Sequence, residues 1–63
     1  METGIITLYD KAGGYGFIKY GNLLIKFYAR SFTGELDTYD TVNFEINYEG
    51  LEITAIKVKH AGQ

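Results

Sequence analysis

The sequence predicts an all-β fold, a small closed barrel of five short antiparallel strands. Three observations indicate it: β-branched and aromatic residues occur in short runs, turn formers separate the runs, and no helix of useful length is visible. A chain of 63 residues allows one small domain, and closure protects strand edges that an open sheet of this size would expose. We therefore interpret residues 1–63 as a single barrel domain.

The first three strands follow one another through short turns. Residues 5–9 form the first strand, and the turn formers of residues 10–14 end it. Residues 15–20 form the second strand and residues 23–28 the third. Between these two, Gly-Asn at residues 21–22 makes a hairpin turn that tolerates positive φ.

The second half of the chain supplies two further strands. Residues 29–39 lack either period, so we expect a long loop with room for a helical turn. Residues 41–48 alternate polar and apolar side chains, as in a half-buried strand. Glu-Gly at 49–50 makes a tight turn, and residues 51–59 form the last strand. The apolar parity of that strand changes near residues 55–56, which predicts a β-bulge.

Composition excludes several classes of protein. Hydrophobic residues make up 46% and charged residues 22% of the chain, which is typical of a globular domain. Without cysteine and with a single histidine, the sequence predicts no disulfide, no metal site and no cofactor. No apolar run is long enough to span a membrane, and the N-terminal residues show no signal pattern. We expect a soluble, cytoplasmic protein.

Catalysis is not expected. No cysteine is present, and His60 cannot be assigned to a nucleophile and an acid. The acidic residues Glu35, Asp37 and Asp40 fall in the predicted loop, where turn formation and solubility explain them. A chain this small hardly allows the cleft of a hydrolase. The sequence therefore predicts neither an enzyme nor a small-molecule substrate.

Charge is distributed unevenly along the chain. Residues 1–34 contain four basic and two acidic side chains, whereas residues 35–63 contain two basic and six acidic ones. The net charge of −2 argues mildly against a nucleic-acid partner. Local potential matters more than the sum, so the basic first half still permits phosphate binding that is weak and sensitive to salt.

The second strand carries the most informative pattern. In extended conformation Tyr15, Phe17 and Lys19 share one face, and Gly16 and Ile18 share the other. The smaller pair suits the crowded inside of a barrel, which turns the two rings outward, roughly 6–7 Å apart along the strand. That spacing fits successive unstacked bases.

The third strand continues this outer face. We expect Leu23 and Ile25 to point inward, which leaves Leu24 and Lys26 beside the rings. Aromatic rings interleaved with lysine on one sheet face are what single-stranded nucleic acid requires, because rings stack on bases and cations follow the backbone.

These residues carry a resemblance to a known family. Residues 14–18 (GYGFI) are similar to the first ribonucleoprotein motif of bacterial cold-shock domains, and residues 23–27 (LLIKF) stand where the second motif, VFVHF, is found. Residues 3–6 and 42–46 agree with the flanking family pattern. The resemblance covers nearly the whole chain and implies a five-stranded OB-fold barrel that binds single-stranded RNA or DNA.

The resemblance also implies roles for individual residues. Rings expected to stack on bases are Tyr9, Tyr15, Phe17 and Phe27, with Phe32 as an addition from the loop. Side chains expected to supply backbone charge are Lys11, Lys19, Lys26 and Arg30. Unpaired segments held on such a platform cannot re-pair, so the implied activity is that of a passive RNA chaperone.

The sequence departs from the family pattern at stacking positions. Leu8 replaces the surface tryptophan of the first strand, and Leu24 replaces the first phenylalanine of the second motif. Lys26 replaces its histidine, and Gly13 replaces the lysine that opens the first motif. These substitutions predict reduced stacking affinity or a changed partner.

Alternative interpretations remain at this stage. Tyr15 and Phe17 are core residues if the strand has the opposite phase, and Tyr9 and Phe27 fit a core edge as well as a platform. The lysines also fit a solvated rim. A second hypothesis for function is a protein-interaction barrel that has lost nucleic-acid binding, in which Leu8 and Leu24 form an apolar patch beside Tyr15 and Phe17. A monomer is the default, and a dimer is compatible with either hypothesis.

Overall fold

The computed structural model describes residues 1–32 and 35–61 and confirms the all-β barrel. Its strands are β1 (Glu2–Asp10), β2 (Tyr15–Tyr20), β3 (Leu23–Tyr28), β4 (Thr41–Asn47) and β5 (Thr54–His60), with a 3₁₀ turn (Ala29–Ser31) after β3. The bounds of β2 and β3 are as predicted, whereas β1 begins earlier and β5 later. Residues 33–34 of the predicted loop lie outside the described residues.

One strand pair corrects the expectation of an antiparallel barrel. The order around the barrel is β1-β2-β3-β5-β4, and β1 pairs with β4 to close it. Four pairs are antiparallel, but β3 and β5 run parallel. Five strands in a ring cannot all alternate in direction, so one parallel pair is required. It is short, joining Lys26 to Thr54 and Phe27 to Ala55.

The core fills the inside of the barrel with side chains from every strand. The buried hydrophobic residues are Ile6, Ile18, Ile25, Phe27, Leu36, Val42, Phe44, Ala55 and Val58. Leu23 is not among them, in contrast to the expectation, because it lies beside the β2–β3 turn at the end of the barrel and stays 55% exposed. Its strand partner Tyr20 instead packs edge-on against Phe44.

Two bulges reset which side chains point inward. In β1 the register against β2 shifts between Ile6 and Leu8, so Ile6 is buried while Leu8 is exposed. Without the shift, residues 6 and 8 would share a face. In β5 the predicted bulge is present, but it lies just beyond Ile56, at Lys57, whose φ is +54°. It lets both Ala55 and Val58 reach the core.

Gly16 lies where the first three strands approach one another closely. A Cβ built there would lie 2.5 Å from the Leu8 carbonyl oxygen and 2.7 Å from the Phe27 ring. Any larger side chain must therefore push β1 or the Phe27 ring away. The absence of a side chain at this position is what lets the ring fill the core under β2.

The segment before β4 is fixed to both sides of the barrel. Leu36 is buried, and the Ile6 N–H donates to the Asp40 carbonyl oxygen at 3.0 Å. The Asp40 carboxylate accepts from the Asp37 N–H at 3.0 Å and contacts His60 Nε2 at 3.1 Å. These two hydrogen bonds, that from the Asp37 backbone first, lower the pKa of Asp40.

Gly16→Ala should destabilise the barrel. The added methyl group has no space, and overpacking of this kind costs about 1–3 kcal/mol. Urea unfolding followed by circular dichroism measures the free energy of unfolding. Lys19→Ala, at an exposed position of the same strand, is the control and should change it by less than about 0.5 kcal/mol. Equal stability of Gly16→Ala and the wild type would contradict the close approach.

Asp40 should contribute to the acid limb of stability. Because the folded-state pKa lies below the ordinary value of 3.8, the ionised carboxylate stabilises the fold above that pH. The contribution is lost as the pH falls from 3.8 through the lower folded-state pKa. Asp40→Asn should therefore flatten thermal stability against pH in this range. Asp37→Asn keeps the backbone donor and should retain the wild-type profile; coincident acid limbs for all three proteins would disprove the assignment.

Candidate nucleic-acid interface

The outer surface of β1, β2 and β3, here called the β1–β3 face, is organised in three rows across the strands. Residues paired across neighbouring strands share one face of the sheet, and the registers give the rows directly. The rows are Asp10–Tyr15–Tyr28, Leu8–Phe17–Lys26 and Ile5–Lys19–Leu24.

Tyr15 and Phe17 stand side by side on this face. Both are half-buried, and Gly16 and Ile18 between and beside them are fully buried. The predicted phase of β2 is therefore confirmed. The ring centroids are 6.1 Å apart and the ring planes are at 87°. Bases stacked on both rings in this arrangement would be turned away from each other.

Lys26 extends the face across β3. Its Nζ lies 5.1 Å from the ring centroid of Tyr15 and equally 5.1 Å from that of Tyr28. The guanidinium carbon of Arg30, in the 3₁₀ turn, lies 5.2 Å from the Tyr28 centroid. Cations at these distances from ring centres interact favourably with the ring faces, so the face carries positive charge next to its aromatic rings.

The remaining predicted cations lie at the edges of the face. Lys19 is exposed in the row of Leu24, and Lys11 is exposed in the turn between β1 and β2. That turn is held by Asp10, whose Oδ1 accepts from the Gly13 N–H at 3.0 Å. Both lysines are therefore available to a ligand that crosses the face.

The structure corrects the role expected for Phe27. Its ring is fully buried, with 0% exposure, and packs under Gly16. Tyr9 lies with it: after the β1 bulge Tyr9 pairs with Gly16 and points inward, and its ring stacks on Phe27 at 6.0 Å with 25° between the planes. Both rings therefore belong to the core or its edge, since the alternation of β3 that buries Ile25 also buries Phe27.

Phe32 lies apart from the Tyr15–Phe17 pair. It forms a parallel bridge with Val58 on β5, and its ring packs edge-on against His60 at 5.3 Å. The ring is half-buried against the core. The structure therefore does not bring Phe32 onto the β1–β3 face.

The described part of the chain lacks two other features. Within residues 1–32 and 35–61, no group of three or more His, Cys, Asp or Glu side chains could hold a metal ion. The same residues contain no helix that is both long and apolar enough to cross a membrane.

Comparison with solved structures identifies the type of barrel. No family model and no curated protein matches the sequence. Solved structures do match, among them drosophila Unr CSD456, a cold-shock domain structure, with a TM-score of 0.80 and 26% sequence identity. The match covers 94% of this chain and 26% of the Unr chain. The fold of this chain is therefore that of a cold-shock-like OB-fold barrel.

Residues 14–18 (GYGFI) resemble the first cold-shock motif and place side chains on both sides of β2. Gly16 and Ile18 point into the barrel, and Tyr15 and Phe17 point out. The departures from the family pattern lie on the same surface: Leu8 is 46% and Leu24 65% exposed, in the rows of Phe17 and Lys19. Tyr15 and Phe17 therefore lie on the β1–β3 face beside aliphatic side chains.

Tyr28 is a member of the face that the predicted platform omits. It pairs directly with Tyr15 and lies next to both Lys26 and Arg30. Its position was readable from the sequence, because residues 24, 26 and 28 of one strand share a face. The resemblance to cold-shock motifs gave no signal here, since the second motif ends at residue 27.

Proposed function

We propose that this cold-shock-like domain binds single-stranded nucleic acid on the β1–β3 face. The observation that carries the proposal is the placement of Tyr15, Phe17 and Lys26 on one outer face of a cold-shock barrel. Tyr15 and Phe17 stack on bases. Lys26, Lys19 and Arg30 contact the backbone, with Lys11 at the edge.

The geometry favours an unpaired strand. Base faces are accessible to protein rings only where the bases are unstacked and unpaired. The 87° between Tyr15 and Phe17 keeps two bound bases from stacking on each other. A strand held in this way cannot re-pair, which supports a passive RNA-chaperone activity that consumes no nucleotide.

The affinity should be modest. Base–aromatic stacking contributes about 1–3 kcal/mol per base, so two rings supply about 2–6 kcal/mol. Phe27 and Tyr9 add nothing to this because their rings belong to the core and its edge. The rest depends on cations, and binding should therefore weaken steeply as salt rises.

A protein partner is the second candidate, and the exposed aliphatic side chains favour it. Ile5 and Leu8 are each 46% exposed and Leu24 is 65% exposed, all on the β1–β3 face. Contiguous apolar surface of this kind marks protein contacts or self-association. Salt separates the two functions, because an apolar contact does not weaken between 50 and 200 mM salt as a phosphate contact does.

Removal of the two rings should abolish binding. The double variant Tyr15→Ala, Phe17→Ala should bind a labelled pyrimidine-rich single strand at least about 30-fold more weakly, from about 1 kcal/mol per lost base. Fluorescence anisotropy measures the affinity. Tyr48→Ala, which removes a ring that is 71% exposed beyond β4, is the control and should bind like the wild type. Wild-type affinity in the folded double variant would refute the proposal.

An aromatic ring at position 8 should restore a stacking site. Leu8 is the strand partner of Phe17, so Leu8→Trp places an indole within the aromatic row. We expect at least about fivefold tighter binding, from about 1 kcal/mol of added stacking, and quenching of the indole by bound bases. The chain has no other tryptophan, so the signal is unambiguous.

Leu51→Trp is the matched control for this gain. Leu51 is fully exposed in the β4–β5 connection, so its indole should report no binding and leave the affinity unchanged. Unchanged affinity and emission in Leu8→Trp would mean that the bound strand does not cross the row of Leu8 and Phe17.

A further inference from the structure

Tyr28 holds two cations at once. Lys26 Nζ lies 5.1 Å and the Arg30 guanidinium carbon 5.2 Å from the centre of its ring. Lys26 Nζ also lies 5.1 Å from the centre of the Tyr15 ring. Tyr28 thus has two cations beside its ring, whereas Tyr15 has one.

Neither cation is neutralised by a carboxylate in the described part of the chain. The ion pairs among residues 1–32 and 35–61 are Lys57–Glu45 and His60–Asp40. Two carboxylates do lie near this end of the face. Asp10 caps its own turn, and Glu52 accepts a long hydrogen bond of 3.5 Å from the Tyr28 hydroxyl. Both positive charges thus lie next to the Tyr28 ring and have no ion-pair partner among the described residues.

The backbone fixes this arrangement relative to the stacking rings. Tyr28 pairs with Tyr15 across β2 and β3. One residue further on, the Ala29 N–H donates to the Gly14 carbonyl oxygen at 2.9 Å, which ties the start of the 3₁₀ turn to the start of β2. Arg30 therefore follows a segment anchored beside the Tyr15–Phe17 pair.

We propose that Tyr28 is a positioning residue that holds Lys26 and Arg30 together as a subsite for one backbone phosphate. The subsite rests on the proposed function, since the phosphate belongs to the strand whose bases stack on Tyr15 and Phe17. Tyr28 itself touches neither base nor phosphate: it acts through the two cations.

The test separates a positioning ring from a stacking ring by salt dependence. Each phosphate contacted on a single strand contributes about −0.7 to the slope of log affinity against log salt. Tyr28→Ala changes no charge, yet the slope should become shallower by about 0.7. Its affinity defect should then shrink by about 2.5-fold between 50 and 200 mM salt. Anisotropy with a labelled pyrimidine-rich single strand measures both quantities.

Further variants test whether Tyr28 acts through its ring and the neighbouring cations. Tyr28→Phe keeps the ring and should retain the wild-type slope. Arg30→Gln should make the slope shallower by the same amount as Tyr28→Ala does. The double variant should have nearly the same slope as either single variant, because both changes remove the same phosphate contact. Lys59→Gln removes a charge on the β4–β5 pair and should leave the slope unchanged, since that pair lies outside the β1–β3 face.

The outcomes are distinct. An equal affinity loss at both salt concentrations in Tyr28→Ala would make Tyr28 a base-stacking residue and overturn the phosphate subsite. An unchanged affinity and slope would overturn it too. Wild-type protein that binds no single strand even at 50 mM salt would refute the proposed function itself, and the subsite with it.

Replacing one phosphate at a time locates the contact. A series of single strands carries one uncharged methylphosphonate linkage each, at successive positions. At one linkage per bound register the replacement should weaken binding to the wild type. This loss of affinity, relative to the unmodified strand, should be about 2.5-fold larger at 50 than at 200 mM salt. Tyr28→Ala and Arg30→Gln should be insensitive to that linkage. Equal sensitivity of all three proteins would place the phosphate elsewhere.

Discussion

The absence of a side chain at position 16 is the constraint on which the rest of this barrel depends. β1, β2 and β3 approach so closely there that a Cβ would lie 2.5 Å from the Leu8 carbonyl oxygen and 2.7 Å from the Phe27 ring. Glycine lets that ring fill the core. Because strand residues alternate between faces, fixing Gly16 inside also fixes Tyr15 and Phe17 outside. One small residue therefore sets both the core and the candidate interface.

The bulges in β1 and β5 likewise determine which side chains of these strands point into the core. The shift after Ile6 lets β1 bury Ile6 and still turn Leu8 outward beside Phe17. The bulge at Lys57, whose φ is positive, lets β5 bury both Ala55 and Val58. A chain of 63 residues has few side chains to spare, and bulges let five short strands fill a core while leaving one outer face free for other uses.

The local sequence pattern predicts the strand bounds and side-chain directions that depend on neighbouring residues alone. Inward and outward side chains alternate along residues 15–20 and 24–28, and the sequence predicts the bounds of β2 and β3 and the phase of Gly16. The same alternation, followed from Ile25, puts Phe27 inside and Tyr28 outside, although the family motif pointed to Phe27 as a stacking ring. Tyr9 was not predictable in this way, because its direction depends on a bulge that only the pairing of β1 with β2 reveals. The parallel β3–β5 pair follows from closing an odd number of strands, a property of the whole ring and of no single segment.

The uneven charge of the sequence becomes an uneven charge of the surface. The basic first half forms most of β1, β2 and β3, with Lys19, Lys26 and Arg30 on or beside their outer face, whereas the acidic second half forms β4, β5 and the loops around them. A net charge of −2 therefore coexists with three basic side chains on or beside the β1–β3 face, and local charge of this kind matters more for a charged ligand than the sum does. Because the cations lie next to the rings of Tyr15 and Tyr28, the positive charge of this face is located beside its aromatic side chains. If a nucleic-acid strand binds here as proposed, the rings determine where the positive charge lies as well as where bases can stack.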